Sequence, residues 1–374
     1  MDMKHLAISF GVLSAVVLTA FSAVSCKDAV QSGRSTVPFV EDVMRQGGRT
    51  FSLVSDFDVR ESRGTVAIVG PEGRNALLAD RFMNGDCFDN VDGSRNPDGL
   101  ADFSGEVMDF MDDISVSYDS LYTASEDALR TLTVQNFLAA LDTSFSIGSF
   151  DSEKLRTREA SKVVVFSSPF SAACGAFDID TLCTVAGKAV PVVYPSRAAF
   201  REQLDREIPH EHIIVVTDSA TAASGVYPRI FDEMARERGA LGCGCIAVAL
   251  DSVASFPSLI NRYKAAGGNM PVSAVLVDCP EVSIASLAAS LEEVLTVQTG
   301  ANLNRRKLLT DGIQIKDMYN YATDECYGIL RRNNIFTHNI SRPIAGEYLI
   351  VNADDGDGLR LVEREKKEES EERD

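Results

Sequence analysis

The chain has no tryptophan and only four histidines, His5, His210, His212 and His338. No two of these have the spacing of a helical metal motif such as H-E-x-x-H, so a histidine-built zinc site is not expected. Positive charge is scarce: 36 Lys and Arg stand against 55 Asp and Glu, a formal net charge of −19. That balance argues against nucleic acid and against anionic lipid surfaces as partners. Long hydrophobic runs are missing apart from one at the very start. Cysteine is too sparse for a disulfide-dense scaffold, with eight in 374 residues, and a chain of this length does not need one. The hydrophobic share of 45% suits one large globular unit or two smaller ones.

The one long apolar run is "LAISFGVLSAVVLTAFSAV", preceded by Lys4 and His5 and followed by Ser25-Cys26. A basic start, an apolar stretch and small residues before a cut site read as a secretory signal. The cysteine at the cut resembles the lipobox of bacterial lipoproteins, with Ala23 where leucine is usual. On that resemblance residues 1–25 are a signal peptide and Cys26 becomes the lipidated first residue. Each buried methylene of its acyl chains would add about 0.8 kcal/mol to membrane anchoring. The alternative is an uncleaved membrane helix. Residues 26–50 then read as a tether, and the expected location is the bacterial cell envelope. Seven cysteines follow Cys26, an odd number that leaves at least one thiol free or mixed in an oxidising compartment. Cys243-Gly244-Cys245 is too tight for a zinc knuckle and reads as small residues entering a strand.

Between the ends, short runs rich in Val, Ile and Leu alternate with amphipathic stretches. "TVAIVG" (65–70), "KVVVFSS" (162–168), "VPVVY" (190–194), "HIIVVT" (212–217), "CIAVAL" (245–250) and "SAVLVDC" (273–279) are the strands. "DALRTLTVQNFLAAL" (127–141), "SRAAFREQLDRE" and "SIASLAASLEEVL" are among the helices. The pattern predicts an α/β fold of two similar lobes, each a mainly parallel sheet with helices on both faces. The expected division is 51–190 plus 285–352 for the first, discontinuous lobe and 191–284 for the second. Residues 353–374 are expected to be a solvated charged tail. The loop "GDCFDNVDGSRNPDGLADF" (85–103) is rich in Asp, Asn and Gly but fails the calcium-loop spacing, since Gly93 at position six puts Phe88 at position one. It reads as a long turn-rich loop, with a weak cation site at Asp89 and Asp92 as the other option. No metal and no cofactor are expected.

Ligands of parallel sheets bind outside the carboxyl ends of the strands. Those ends carry Gly70-Pro71-Glu72, Ser167-Ser168, Thr217-Asp218-Ser219 and Asp278-Cys279. In order, "VVVFSSPFSAACGAFDIDTL", "VPVVYPSRAAF", "HIIVVTDSATAASGVYPRIF" and "AVLVDCPEV" resemble successive blocks of the aspartate/glutamate racemase superfamily. The match covers about residues 65–285 and is best at Ala220-Thr221-Ala222-Ala223-Ser224-Gly225-Val226-Tyr227. The resemblance implies proton transfer beside a carboxylate, with thiols as acid and base and helix N-termini holding negative charge. The family's first catalytic cysteine aligns with Ser168, and its N-terminal Asp-Ser-Gly with Gly70-Pro71-Glu72. What remains resembles the arylmalonate decarboxylases of the same superfamily. Cys279 would be the acid/base, and Ser167, Ser168, Ser219 and Thr221 the anion-binding groups for a small carboxylate. Asp278 beside the thiol would raise its pKa, which favours an acid role. Two functions therefore stand: one-thiol proton-transfer or decarboxylation chemistry, or an inactive lipoprotein that binds a small ligand or a partner. For Cys279 the plain alternative is a buried core residue, and for Thr221 and Ser219 an ordinary helix cap.

Overall fold

The computed structural model describes residues 34–46, 48–58, 60–61, 63–147, 155–206, 209–240, 242–250, 255–337, 340–352 and 359–364. The expected signal sequence, Cys26, the start of the expected tether and the end of the expected tail lie outside these residues. Among the described residues no helix is long and apolar enough to cross a membrane.

In chain order the described strands are β1 (Thr65–Gly70), β2 (Val107–Asp113), β3 (Ser144–Ser146), β4 (Leu155–Thr157), β5 (Ser161–Phe166), β6 (Val192–Val193), β7 (His212–Thr217), β8 (Gly244–Ala249), β9 (Val272–Val277), β10 (Leu309–Asp317), β11 (Ile344–Asn352) and β12 (Leu359–Glu363). They form two sheets. The larger has eight strands in the order β4-β3-β12-β11-β2-β1-β5-β6; the smaller has four, β10-β9-β7-β8. The smaller sheet is wholly parallel. The larger is parallel at its centre, where β1 sits between β2 and β5, and antiparallel where β11 meets β12 and β3 meets β4. The expected α/β class with two mainly parallel lobes is what the chain adopts, although the lobes differ in size.

Strand composition explains the layering. Every residue of β1, β5 and β9 is buried, as befits central strands covered on both faces. Successive side chains point to opposite faces, and the core divides accordingly. Ala67, Val69, Val164 and Phe166 of the large sheet share one apolar cluster with Ile213, Val215, Ala274 and Leu276 of the small sheet. The other face of the large sheet, with Val66, Ile68, Val163 and Val165, packs in a second cluster. The other face of the small sheet, with Ile214, Val216, Val275 and Val277, packs in a third. One core therefore runs between the sheets, and each sheet has a second core on its far side.

Three placements differ from the expected division. β6 lies in the large sheet, so the small sheet begins at His212 rather than near 191. β10 extends the small sheet beyond β9, so that lobe continues to residue 317 rather than ending at 284. β10 is an edge strand with no fully buried residue, and so lacks the continuous apolar run that marks a central strand. Inside the presumed tail, Leu359–Glu363 forms β12 against β11, with Leu361 and Val362 buried. Its short alternation is masked in the sequence by the charge that surrounds it.

The loop 85–103 is capped by its own acids. Asp86 accepts from the backbone N–H groups of Asp98 and Gly99, Asp89 from Val91 and Asp92, Asp92 from Ser94, and Asp98 from Asn90 and Leu100. The bonds to Val91, Ser94 and Leu100 are Asx turns, and those of Asp86 and of Asp98 to Asn90 cross the loop; together they explain an Asp-rich loop without a ligand.

Candidate cleft site

The helix Glu72–Asn84 starts two residues after β1 ends, so its first turn projects Arg74 across the gap between the sheets. The guanidinium lands on the strand ends of the small sheet. Nη1 donates to both oxygens of Asp278 at 2.7 and 2.6 Å and lies 3.3 Å from the Tyr319 hydroxyl. Nη2 reaches Asp218 Oδ2 at 3.2 Å and Thr221 Oγ1 at 3.4 Å. Asp278 also accepts from Thr217 Oγ1 at 3.2 Å and from the Tyr227 hydroxyl. Its side chain is 3% exposed and that of Arg74 16%.

This is a buried ion pair with its acceptor oxygens filled, the condition under which such a pair survives desolvation. Burial works against the charge on Arg74, but the adjacent carboxylate of Asp278, with Tyr227 and Tyr319, outweighs it and raises the pKa. Burial and the same carboxylate push the Tyr227 and Tyr319 hydroxyls upward, so both remain protonated donors.

The large sheet meets the cleft with a hydrogen-bonded network that ends on Asp112. Ser167 Oγ donates to Asn75 Oδ1 at 2.7 Å, and Asn75 Nδ2 donates to Gly70 O, Met111 O and Asp112 Oδ1 at 3.1, 2.9 and 2.8 Å. Gly70 has φ +154°, and a Cβ there would stand 2.2 Å from Ser167 Oγ. Only glycine allows that approach. Between the sheets, bordered by Ser167, Ser196, Tyr227, Asp278 and Tyr319, lies a cavity of about 10 Å³, room for about one water molecule.

The expected site residues separate on this geometry. Ser167 borders the cavity. Ser168 does not; its Oγ caps the helix Pro169–Cys174, accepting from Phe170 N at 3.3 Å. Thr221 is buried beside Arg74, but its N–H and hydroxyl go to Asp218 at 2.9 and 2.7 Å. That helix start is thus already occupied by an internal carboxylate. Burial alone would raise the pKa of Asp218; the Thr221 donors and Arg74 instead hold it low. Ser219 is exposed at the same helix start.

Cys279 is 6% exposed and belongs to the apolar cluster on the far side of the small sheet, with Val275, Val277 and Val282. It does not border the cavity. Burial raises its thiol pKa, and the charges of Glu281 and Asp278 add to the effect. The thiol is therefore not across one cavity from Ser168 and Thr221; Asp278 faces Ser167 instead. Strand alternation accounts for this. Residues 275, 277 and 279 face one way, and 274, 276 and 278 the other. That parity was readable from the sequence and would have selected Asp278. Cys174, on the helix after Ser168, is fully buried. Arg74 had no sequence signal beyond its place in the first turn after a strand end.

No protein-family profile matches the chain, and no curated protein sequence matches it. Comparison with solved structures returns Asp/Glu racemase-family proteins. The glutamate racemase of Francisella tularensis, solved in complex with D-glutamate, aligns with TM-score 0.40 and 13% identity over 77% of this chain and 88% of that one. A glutamate racemase isoform of Bacillus anthracis gives 0.42 and 11% over 78% and 90%. An aspartate racemase homologue of Pyrococcus horikoshii gives 0.37 and 10% over 73% and 99%. Likeness at this level is too slight to argue from, and the functional reading rests on the chain's own residues.

Proposed function

We propose that the protein is a cell-envelope lipoprotein, anchored through Cys26, whose cleft binds a small carboxylate without thiol acid/base chemistry. One observation carries the reading: the group aimed into the cleft from the end of β9 is the Asp278 carboxylate held by Arg74, while Cys279 packs in the opposite core. A carboxylate in a bidentate grip is fixed in place, whereas a general acid must be free to move a proton at the substrate carbon. The Arg74 guanidinium suits a carboxylate ligand, while the hydroxyls of Thr221 and Ser167 already donate to Asp218 and Asn75. That ligand would take the place of Asp278 when the lobes part, because the closed cavity admits only about one water.

The test is solvent exchange at carbon. The protein is incubated in deuterated water with a panel of small carboxylates and followed by NMR, with Cys279→Ala as control. The expected result is thermal stabilisation by at least one carboxylate and no enzyme-dependent C–H exchange. Exchange that disappears in Cys279→Ala would return the one-thiol enzyme, the reading supported by the order of the sequence blocks and by Thr221 beside Arg74.

A further inference from the structure

On the large lobe, away from the cleft, the loop 85–103 and the helix Asn320–Asn333 enclose a half-open cavity of about 460 Å³, within the range of small-molecule sites. Its apolar wall includes Val91, Leu100 and Ile340, which are 89%, 42% and 83% exposed. Three large aliphatic side chains left this open around one hollow are unusual. A second hollow of about 340 Å³ shares Leu100 and Ile340 and extends toward Met83.

The polar side of the cavity is unbalanced. Its two carboxylates are engaged: Asp98 accepts from the N–H groups of Asn90 and Leu100 at 2.9 and 2.8 Å, and the buried Asp102 from those of Cys87 and Phe88 at 2.9 and 2.8 Å. Arg331 is not. Among the described residues it makes no ion pair; it reaches Asn90 O and Val91 O at 3.5 Å and the Tyr327 hydroxyl. Asp92 is near enough to feel its charge but is exposed and accepts from Ser94 N. The guanidinium is nonetheless held in place. It lies over the Tyr327 ring at 5.9 Å, and that ring stacks on Phe88 at 4.3 Å. On the loop side it rests against Gly93, where φ is +76° and a Cβ would come within 2.4 Å of the Arg331 Nε.

We propose that this cavity is a second ligand site, for an amphiphilic anion with a carboxylate, sulfonate or phosphate head on Arg331 and an aliphatic or aromatic body over Leu100 and Ile340. A positioned cation that makes no ion pair among the described residues supplies charge-assisted hydrogen bonds to the head, and covering the exposed aliphatic groups drives the body into place.

The test uses the full chain and isothermal titration with 4-phenylbutyrate, which has the proposed head and body, and its neutral amide as the matched probe. The expected result is saturable one-to-one binding of the acid, weakened about tenfold in Arg331→Ala, as loss of a charge-assisted bond predicts, and weakened also in Ile340→Asp. The amide should bind like the acid does to Arg331→Ala. Arg331 is exposed, so its removal leaves the fold intact, which circular dichroism checks. No saturable binding, equal binding of acid and amide, or a loss under about threefold in Arg331→Ala overturns the proposal; unchanged binding in that variant puts the acid elsewhere, including the cleft.

Discussion

The strand ends of the two sheets face each other across the cleft with opposite chemistry. The large sheet presents Ser167 and Asn75, whose polar atoms are bonded within their own lobe. The small sheet presents Asp278 and Asp218, whose cation comes from the other lobe. One side is complete without its partner and the other is not. The lobes share one apolar core and are also joined at the cleft by a charge the small sheet cannot balance alone; parting them there uncovers the Asp278 carboxylate and the Arg74 guanidinium. A binding protein needs such a gate, whereas a catalytic thiol would need to stand where Asp278 stands.

The comparison can be sharpened first inside the large lobe, which holds a buried pair of its own. Lys162 Nζ lies 2.7 Å from Glu106 Oε2, both side chains fully buried, with Nζ also donating to Ile335 O at 2.6 Å. Lys162→Met should lower unfolding stability in urea by about 3–5 kcal/mol by leaving Glu106 uncompensated. Lys162→Met with Glu106→Gln should recover most of it. Burial raises the Glu106 pKa despite Lys162, so its contribution is fully present below the usual glutamate pKa and is lost as pH rises through the higher folded value. A smaller effect is expected at the rim of the lobe contact. Arg81, 32% exposed, donates from Nε to Asp317 at 3.1 Å, and Arg81→Ala should cost about 1 kcal/mol or less.

The thiols provide a kinetic contrast. Cys87 is exposed and Cys279 buried. Burial raises both pKa values, so access decides the order. Maleimide labelling of the native protein followed by mass spectrometry should modify Cys87 well before Cys279, and the reverse order would restore Cys279 as a reactive group. The smallest effect concerns His212, whose Nδ1 is 2.8 Å from the Tyr263 hydroxyl. Burial lowers its pKa below 6.5. Its contribution to stability is therefore present above pH 6.5 and lost as pH falls through the lowered folded value. Melting temperatures measured down that range should drop less for His212→Gln than for the natural chain.

The sequence made the fold class legible because central strands such as "TVAIVG" and "KVVVF" carry continuous apolar runs that edge strands do not. β10 was missed for that reason; β12, which lies between β3 and β11, was hidden by its shortness and charged flanks, and the central β2 by the aspartates that interrupt its apolar run. Of the expected site residues, Ser167 at a strand end borders the cavity and Thr221 at a helix start touches Arg74. The choice between Asp278 and Cys279 depended on which face each residue takes, and residue chemistry suggested the thiol where alternation favoured the acid. Arg74 was not legible, since its role arises only when two lobes distant in sequence meet.

The central claim is that Arg74 and Asp278 act as one unit across the cleft. A double-mutant cycle in urea, with Arg74→Met, Asp278→Asn and both together, tests it directly. Arg74→Met alone should cost about 3–5 kcal/mol, and the double variant should cost clearly less than the two single losses added. Strictly additive losses, or an Arg74→Met variant as stable as the natural chain, would contradict the account.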